Sequence, residues 1–259
     1  MNEANQKSDG DELSQLQSKV QFLEDQLERM EQLTAIGELA STTTHEFNNI
    51  LTMIINYAQM GMRHKDEETR NKSFEKILGA AQKASKITAT VLGLARNRKP
   101  GFEPTDLTSL TEDVLLLLER EMTKYRIAVE RKFKPVPEIL ANANQIQQIL
   151  VNLLINARQA MQNGGRLVIR IGMTETNDAV ELVVRDYGTG ISADKLPHIF
   201  DAFYTTKSGP DASGKGGSGL GLSLCKNIME AHHGKIRVES TPGKGTAFTL
   251  RFPLPASAE

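Results

Sequence analysis

The sequence predicts two unlike modules in series: an N-terminal coiled coil and antiparallel helical hairpin, then a two-layer α/β sandwich. Three observations carry this. Apolar residues recur at steps of three and four from Leu13 to Leu94; two prolines and a glycine interrupt the pattern between Arg96 and Pro104; beyond them the period drops repeatedly to two, with helical stretches between.

Taking the elements in order, Leu13, Leu16, Val20, Leu23, Leu27 and Met30 form a narrow apolar seam in otherwise polar sequence, the pattern of a dimerising coiled coil rather than of a helix lying on its own domain. The seam then slips by one residue, resuming at Leu33 and running through Ile36, Ala40, Thr43, Phe47, Ile50 and Ile54. Such a discontinuity changes the local winding and marks either a point of signal input or merely an irregular joint. The polar stretch His64 to Thr69 makes a turn, and a second helix is expected from about Phe74, with Ile77, Ala80, Ala84, Ile87, Val91 and Leu94 on one stripe. A two-helix hairpin buries too little apolar surface to fold alone, so two copies are expected to pair as a four-helix bundle, making the protein a homodimer.

Past the linker, Asp106 is placed to cap a helix with Leu107, Leu110, Val114 and Leu117 inward. Strands are expected at Ile127 to Phe133, Arg166 to Met173, Ala179 to Arg185, Lys235 to Glu239 and Thr246 to Phe252, and helices at Asn144 to Met161 and Gly219 to His232. This is a largely antiparallel sheet with helices on it. The expected organisation is a disordered tail at 1–10, a coiled-coil signalling helix at 11–40, the hairpin at 41–98, a linker at 99–105 and the sandwich at 106–259.

Composition narrows the function classes. A net charge of -1 gives no general attraction to nucleic acid, and the first thirty residues are acidic, with seven Asp and Glu against three Lys and Arg. The single cysteine, Cys225, allows no disulfide framework and fits a reducing, cytoplasmic setting. No run of eighteen apolar residues suggests a membrane span.

The chemistry is concentrated in four segments. Gln148, Asn152 and Asn156, spaced by four, share one helix face opposite the apolar Leu150, Leu153, Leu154 and Ala157. Amide oxygens there suit a magnesium ion bridging phosphates, or else only a solvated face. Asp186-Tyr187-Gly188-Thr189-Gly190 places a carboxylate at a strand end before two glycines, apt to accept from an amino group such as that of adenine, or else only an ordinary loop. Gly214 to Gly221, GKGGSGLG, leads into a helix whose free N–H groups and dipole favour phosphate, or else is only a flexible linker, with the polar stretch Ser208 to Ser213 before it as a lid. Gly243-Lys244-Gly245-Thr246 adds a last turn.

In this order, with Phe200 to Lys207 (FDAFYTTK) between them, these segments resemble the Bergerat-type ATP-binding domain shared by histidine kinases, gyrase-type topoisomerases, mismatch-repair ATPases and the large heat-shock chaperones. The resemblance covers about residues 105 to 255. It implies that Asn156 ligates Mg²⁺, that Asn152 supports the phosphates, that Asp186 reads the adenine amino group, that Gly188 and Gly190 shape the pocket, and that Gly217, Gly219, Leu220 and Gly221 line the triphosphate. The hydrolases of that superfamily place a glutamate four residues before the magnesium asparagine as general base; here the position is Asn152, whose amide cannot accept a proton. That favours transfer of the phosphoryl group over hydrolysis.

The acceptor is sought in the hairpin, where His45 to Leu51 (HEFNNIL) resembles the phosphoacceptor box of two-component sensor histidine kinases. With Thr43 and Phe47 on the seam, His45 falls at an outward heptad position. Glu46 is placed to accept an imidazole proton, and Asn49, one turn on, to orient a water. The resemblance implies a protein-histidine kinase that passes the phosphoryl group to an aspartate of a response regulator. The chain departs from the family pattern at Ala202, where many relatives have proline, and at Gln159, where many carry a basic residue; Lys207, Lys215 or Arg158 is left to supply that charge to the γ-phosphate. His64, His198, His232 and His233 have no metal-ligand spacing and read as surface or local structural residues, the pair His232-His233 ending the last helix, where a partial positive charge suits the C-terminal dipole. A nucleotide-driven clamp and a non-catalytic scaffold are the competing readings; Asn152 and the outward His45 argue against the first, and the complete set of site residues against the second.

Overall fold

The structure, a computed structural model, describes residues 46–95, 101–205 and 219–254 together with scattered helical positions between 15 and 44. Most of the coiled-coil span 11–40 therefore lies outside the described residues; Leu16, Val20 and Met30 of its seam are helical and exposed on the single chain.

Residues 46–63 form helix α1, and Glu67–Ala95 form α2. The second helix begins a full two turns before Phe74 because Asp66 caps it: its carboxylate accepts from the N–H of Thr69 at 2.8 Å, and Glu67 and Glu68 suit the positive end of the dipole. Along the expected stripe Ile50, Ala80 and Ile87 are buried, with Phe47, Ile54, Ala84 and Val91 packed beside them. Each of the two buried isoleucines, Ile50 and Ile87, contributes about 1.5–3 kcal/mol. A second set, Leu51, Ile55, Phe74, Leu78 and Leu92, stays exposed on the single chain.

Five strands make the main sheet: β2 (Ile127–Phe133), β4 (Gly165–Met173), β5 (Ala179–Asp186), β6 (Lys235–Thr241) and β7 (Gly245–Pro253), in the order β2-β4-β5-β7-β6. Every neighbouring pair is antiparallel except β2 with β4, which is parallel because α4 (Ala143–Ala160) provides the crossover between them. Helices α3 (Leu107–Lys124), α4 and α5 (Gly221–Ala231) form the second layer. Asp106 caps α3 through Thr108 and Ser109, as its position predicts, and Asn142 caps α4 through Asn144 and Gln145. The core-facing rows read Leu167, Ile169, Ile171 on β4, Val180, Leu182, Val184 on β5 and Phe248, Leu250, Phe252 on β7, all buried.

Two features were not legible in the periodicity. Strands β1 (Glu103–Thr105) and β3 (Ile139–Ala141) make a separate antiparallel pair, too short to show an alternation. As a result the 99–105 segment is not linker throughout: its last three residues are fastened to the sandwich.

The hairpin also packs on the sandwich, α2 lying against α3 and α4. Lys86 pairs with Asp113 at 3.3 Å and Lys83 with Glu119 at 2.9 Å, and Gly93 leaves room for Asn144 and Gln147 of α4.

Candidate active site

Asp186 is the site's anchor, and its position follows from the pleat. Val180, Leu182, Val184 and Asp186 alternate onto the helix-covered face, so the carboxylate continues a buried apolar row at the point where the strand ends. It is 4% exposed. One oxygen, Oδ1, accepts from the N–H of Gly188 at 2.9 Å and of Thr246 at 3.2 Å, which leaves Oδ2 as the acceptor for a ligand. Burial raises its pKa above the ordinary aspartate value, against the opposing pull of those two N–H groups.

The glycines after it sit where backbone meets backbone. A Cβ on Gly188 would come 2.5 Å from the carbonyl oxygen of Ala160 at the end of α4, and the N–H of Thr189 donates to that same oxygen at 3.2 Å. Gly190, at φ +70°, is pressed against the carbonyl of Thr241. These contacts fasten the Asp186 loop to the C-terminus of α4 on one side and to the β6–β7 turn on the other.

Asn152 and Asn156 lie half-buried on α4, opposite the fully buried Leu150, Leu153, Leu154 and Ala157. Asn152 Nδ2 donates to the carbonyl of Gly221 at 3.3 Å and approaches Cys225 Sγ at 3.9 Å, so the asparagine row faces the first turn of α5. That helix begins at Gly221 rather than Gly219, and Leu220 at the cap makes no side-chain bond to its first turn. Gly219, at φ +77°, turns the chain under Phe203 and Tyr204. The structure thus sets Asn152 against Gly221, and the end of α4, one turn beyond Asn156, against the Asp186–Gly190 loop.

His45, Lys207, Lys215 and Gly217 lie outside the described residues. Arg158 does not serve the phosphate side: its Nη1 pairs with Glu121 at 2.8 Å and its guanidinium lies 5.0 Å from the Tyr125 ring, on the α3 face of the helix. In the hairpin, Asn49 is exposed on α1, whereas Glu46 is held by Lys83, with 3.0 Å between Nζ and Oε1. No group of three or more His, Cys, Asp and Glu side chains converges among the described residues, so no closed metal cage is built from them.

His232 departs from its reading as a positively charged helix end. It is buried; its Nδ1–H donates to the Ile228 carbonyl at 2.8 Å, and its Nε2 accepts from the N–H of Asn142 at 3.0 Å, the cap of α4. Since a carbonyl only accepts and an amide N–H only donates, the ring is fixed in its neutral tautomer, and burial holds its pKa below the ordinary histidine value. Phe102, just ahead of β1, lies 4.7 Å from the same ring. The missed signal was positional: Cys225, Ile228, Met229 and His232 continue the buried stripe of α5.

With this geometry in view, comparison with known proteins is specific. Residues 35–100 match the His kinase A (phospho-acceptor) domain, and residues 141–256 match the histidine kinase-, DNA gyrase B- and HSP90-like ATPase family. The chain is 32% identical over 236 residues to the sensor histidine kinase ZraS of Escherichia coli, covering 90% of this chain and 49% of that one. To the sensor histidine kinase TmoS of Ectopseudomonas mendocina it is 31% identical over 253 residues, covering 94% and 25%. It therefore spans between a quarter and a half of these relatives. Among solved structures, the catalytic domain of histidine kinase ThkA aligns with a TM-score of 0.51 at 30% identity, covering 59% of this chain and 95% of that one. A phosphoacceptor domain followed by this ATPase domain, with relatives of one kind across both, means that the chain belongs to the two-component sensor histidine kinases.

Proposed function

We propose that the protein is a homodimeric, ATP-dependent histidine autokinase that phosphorylates His45 and passes the phosphoryl group to an aspartate of a response regulator. The observation that carries this is Asn152. At the position where a hydrolase needs a base, the side chain is an amide, and its N–H₂ is engaged with the first turn of α5. Water activation therefore has no proton acceptor there, and the γ-phosphoryl group is kept for the imidazole.

The residues support each part of the step. The Oδ2 of Asp186 accepts from the adenine amino group, while Gly217, Gly219, Leu220 and Gly221 present N–H groups to the phosphates, with Lys207 and Lys215 as the cations on the lid. Asn156 would hold a Mg²⁺ through its amide oxygen, a donor of the hard oxygen kind that this ion takes. When bound, that ion spreads the charge of the phosphates. One imidazole nitrogen of His45 bonds to the γ-phosphorus as the bond to the β–γ bridging oxygen breaks, ADP leaves with that electron pair, and Glu46 takes the ring proton. The domain organisation expected from the sequence, with the ATP-binding module carried on the segment between α2 and β1, allows it to move relative to the hairpin.

The exposed apolar set Leu51, Ile55, Phe74, Leu78 and Leu92 gives the hairpin a face for its second copy, as the phosphoacceptor domain implies. Histidine kinase ThkA has been solved in complex with the response regulator TrrA, at 26% identity and a TM-score of 0.51 to this chain, which supports a receiver domain as the partner. No helix among the described residues is long and apolar enough to cross a membrane.

The test is incubation with γ-labelled ATP and Mg²⁺. Wild type is expected to acquire an acid-labile, alkali-stable label and His45→Gln to acquire none while still binding nucleotide; label persisting on the variant excludes His45 as acceptor. Asn49, exposed one turn beyond, is assigned to removal of phosphate from the regulator. Its replacement by alanine is expected to leave autophosphorylation within about twofold and to slow regulator dephosphorylation roughly tenfold or more; equal loss of both activities contradicts the assignment.

A further inference from the structure

We propose that Lys83 is a positioning residue for autophosphorylation, holding Glu46 in place by bridging it to Glu119 of the ATP-binding module. The inference rests on the reading of Glu46 as the proton acceptor for its sequence neighbour His45.

Three helices from two modules meet at one ammonium. Lys83 on α2 places Nζ 3.0 Å from Oε1 of Glu46 on α1 and 2.9 Å from Oε2 of Glu119 on α3. An ammonium has three protons and so serves both carboxylates at once. The Glu46 end of the bridge is sheltered, that side chain being 18% exposed and that of Lys83 30%, while Glu119 at the other end is 57% exposed. Partial burial works against the lysine charge, but hydrogen bonds and charge from Glu119 and Glu46 outweigh it and hold the pKa above the ordinary lysine value. One turn along, Lys86 pairs with Asp113, so the contact between α2 and α3 has one sense of charge along its length, cations on the hairpin and anions on the ATP-binding module.

The consequence is a mechanical link. With α3 against α2, Lys83 is anchored from both sides, and Glu46 is held in one orientation instead of sampling the rotamers of a free glutamate. With α3 withdrawn, the lysine regains its flexible stem and the carboxylate loses its fixed partner. Orientation of the base is thereby tied to the seating of the module that carries ATP.

Charge inversion tests this on the full-length chain. Lys83→Glu gathers three carboxylates and is expected to lower the autophosphorylation kcat by about tenfold with KM for ATP unchanged. Adding Glu119→Lys restores one cation between two carboxylates and is expected to return kcat to within about threefold of wild type; Lys83→Arg, which keeps the charge, should behave like wild type. Full kcat in Lys83→Glu, a charge-swapped chain no better than the single variant, or a rise in KM matching the loss in kcat each overturns the proposal. Glu46→Gln separates the two readings. If it keeps full activity, Glu46 is not the proton acceptor; if it is inactive while Lys83→Glu is not, only the bridge fails.

Discussion

Asp186→Asn is expected to weaken ATP binding by roughly a hundredfold while leaving the sandwich folded. The two changes are separable because the carboxylate has two jobs on two oxygens. Its Oδ1 accepts from Gly188 and Thr246, and an asparagine Oδ1 does the same, so the loop and the start of β7 keep their fastening. The other position becomes an N–H₂ group, which in a 4% exposed site meets the amino group of adenine donor to donor. Isothermal titration with ATP against wild type, with a denaturation midpoint measured alongside, checks both halves. Unchanged affinity removes Asp186 from nucleotide recognition, and a collapsed midpoint assigns it to structure instead. A pH dependence follows from the same burial. Because the pKa of Asp186 is raised, the ionised form that accepts from adenine is depleted on acidification at higher pH than for an exposed aspartate. Wild-type affinity should fall as pH is lowered through that range, and the variant should lack that part of the fall.

How much of this was legible in the sequence depends on the kind of signal each feature carries. The stripes of α1 and α2, the cap at Asp106 and the strand rows ending at Asp186 are periodic or capping features, and periodicity survives folding because it records which face is buried. The asparagine row on α4 was visible as a spacing of four. What α4 faces was not visible: the bond from Asn152 to Gly221 joins residues 69 positions apart. The same holds for His232, whose Nε2 receives the N–H of Asn142 across 90 positions, and for Lys83, whose partners lie on helices of both modules. Composition misled at His232, since a histidine pair at a helix end suggests charge complementing the dipole. Only the stripe through Cys225 and Ile228 pointed inward. Strands of three residues such as β1 and β3 lie below any periodic signal, which is why the pairing of Glu103–Thr105 with Ile139–Ala141 is not legible in the sequence.

Gly190→Ala is expected to destabilise the ATP-binding module by about 3 kcal/mol or more, whereas Gly243→Ala should cost only about 1 kcal/mol. Both glycines have left-handed backbones, φ +70° and +75°, so each substitution carries the conformational cost of placing a side chain there. Their surroundings differ. A Cβ on Gly243 meets nothing within 4 Å, while one on Gly190 drives into the carbonyl of Thr241 and close to Cα of Pro242. Backbone cannot rotate away as a side chain does, and this backbone is pinned: the N–H of Gly243 donates to the Thr189 carbonyl at 2.7 Å, and that of Ile191 to Ser240 Oγ at 2.8 Å. Relief requires pulling the Asp186 loop off the β6–β7 turn, which breaks those bonds and moves Gly188 relative to Ala160. The loss should therefore appear twice for Gly190→Ala, as a lowered denaturant midpoint and as weakened ATP binding in the population that stays folded. For Gly243→Ala only the small change in midpoint is expected. Equal destabilisation by the two substitutions would mean that left-handed backbone alone, and not the close approach of the turn, is what the loop requires of Gly190.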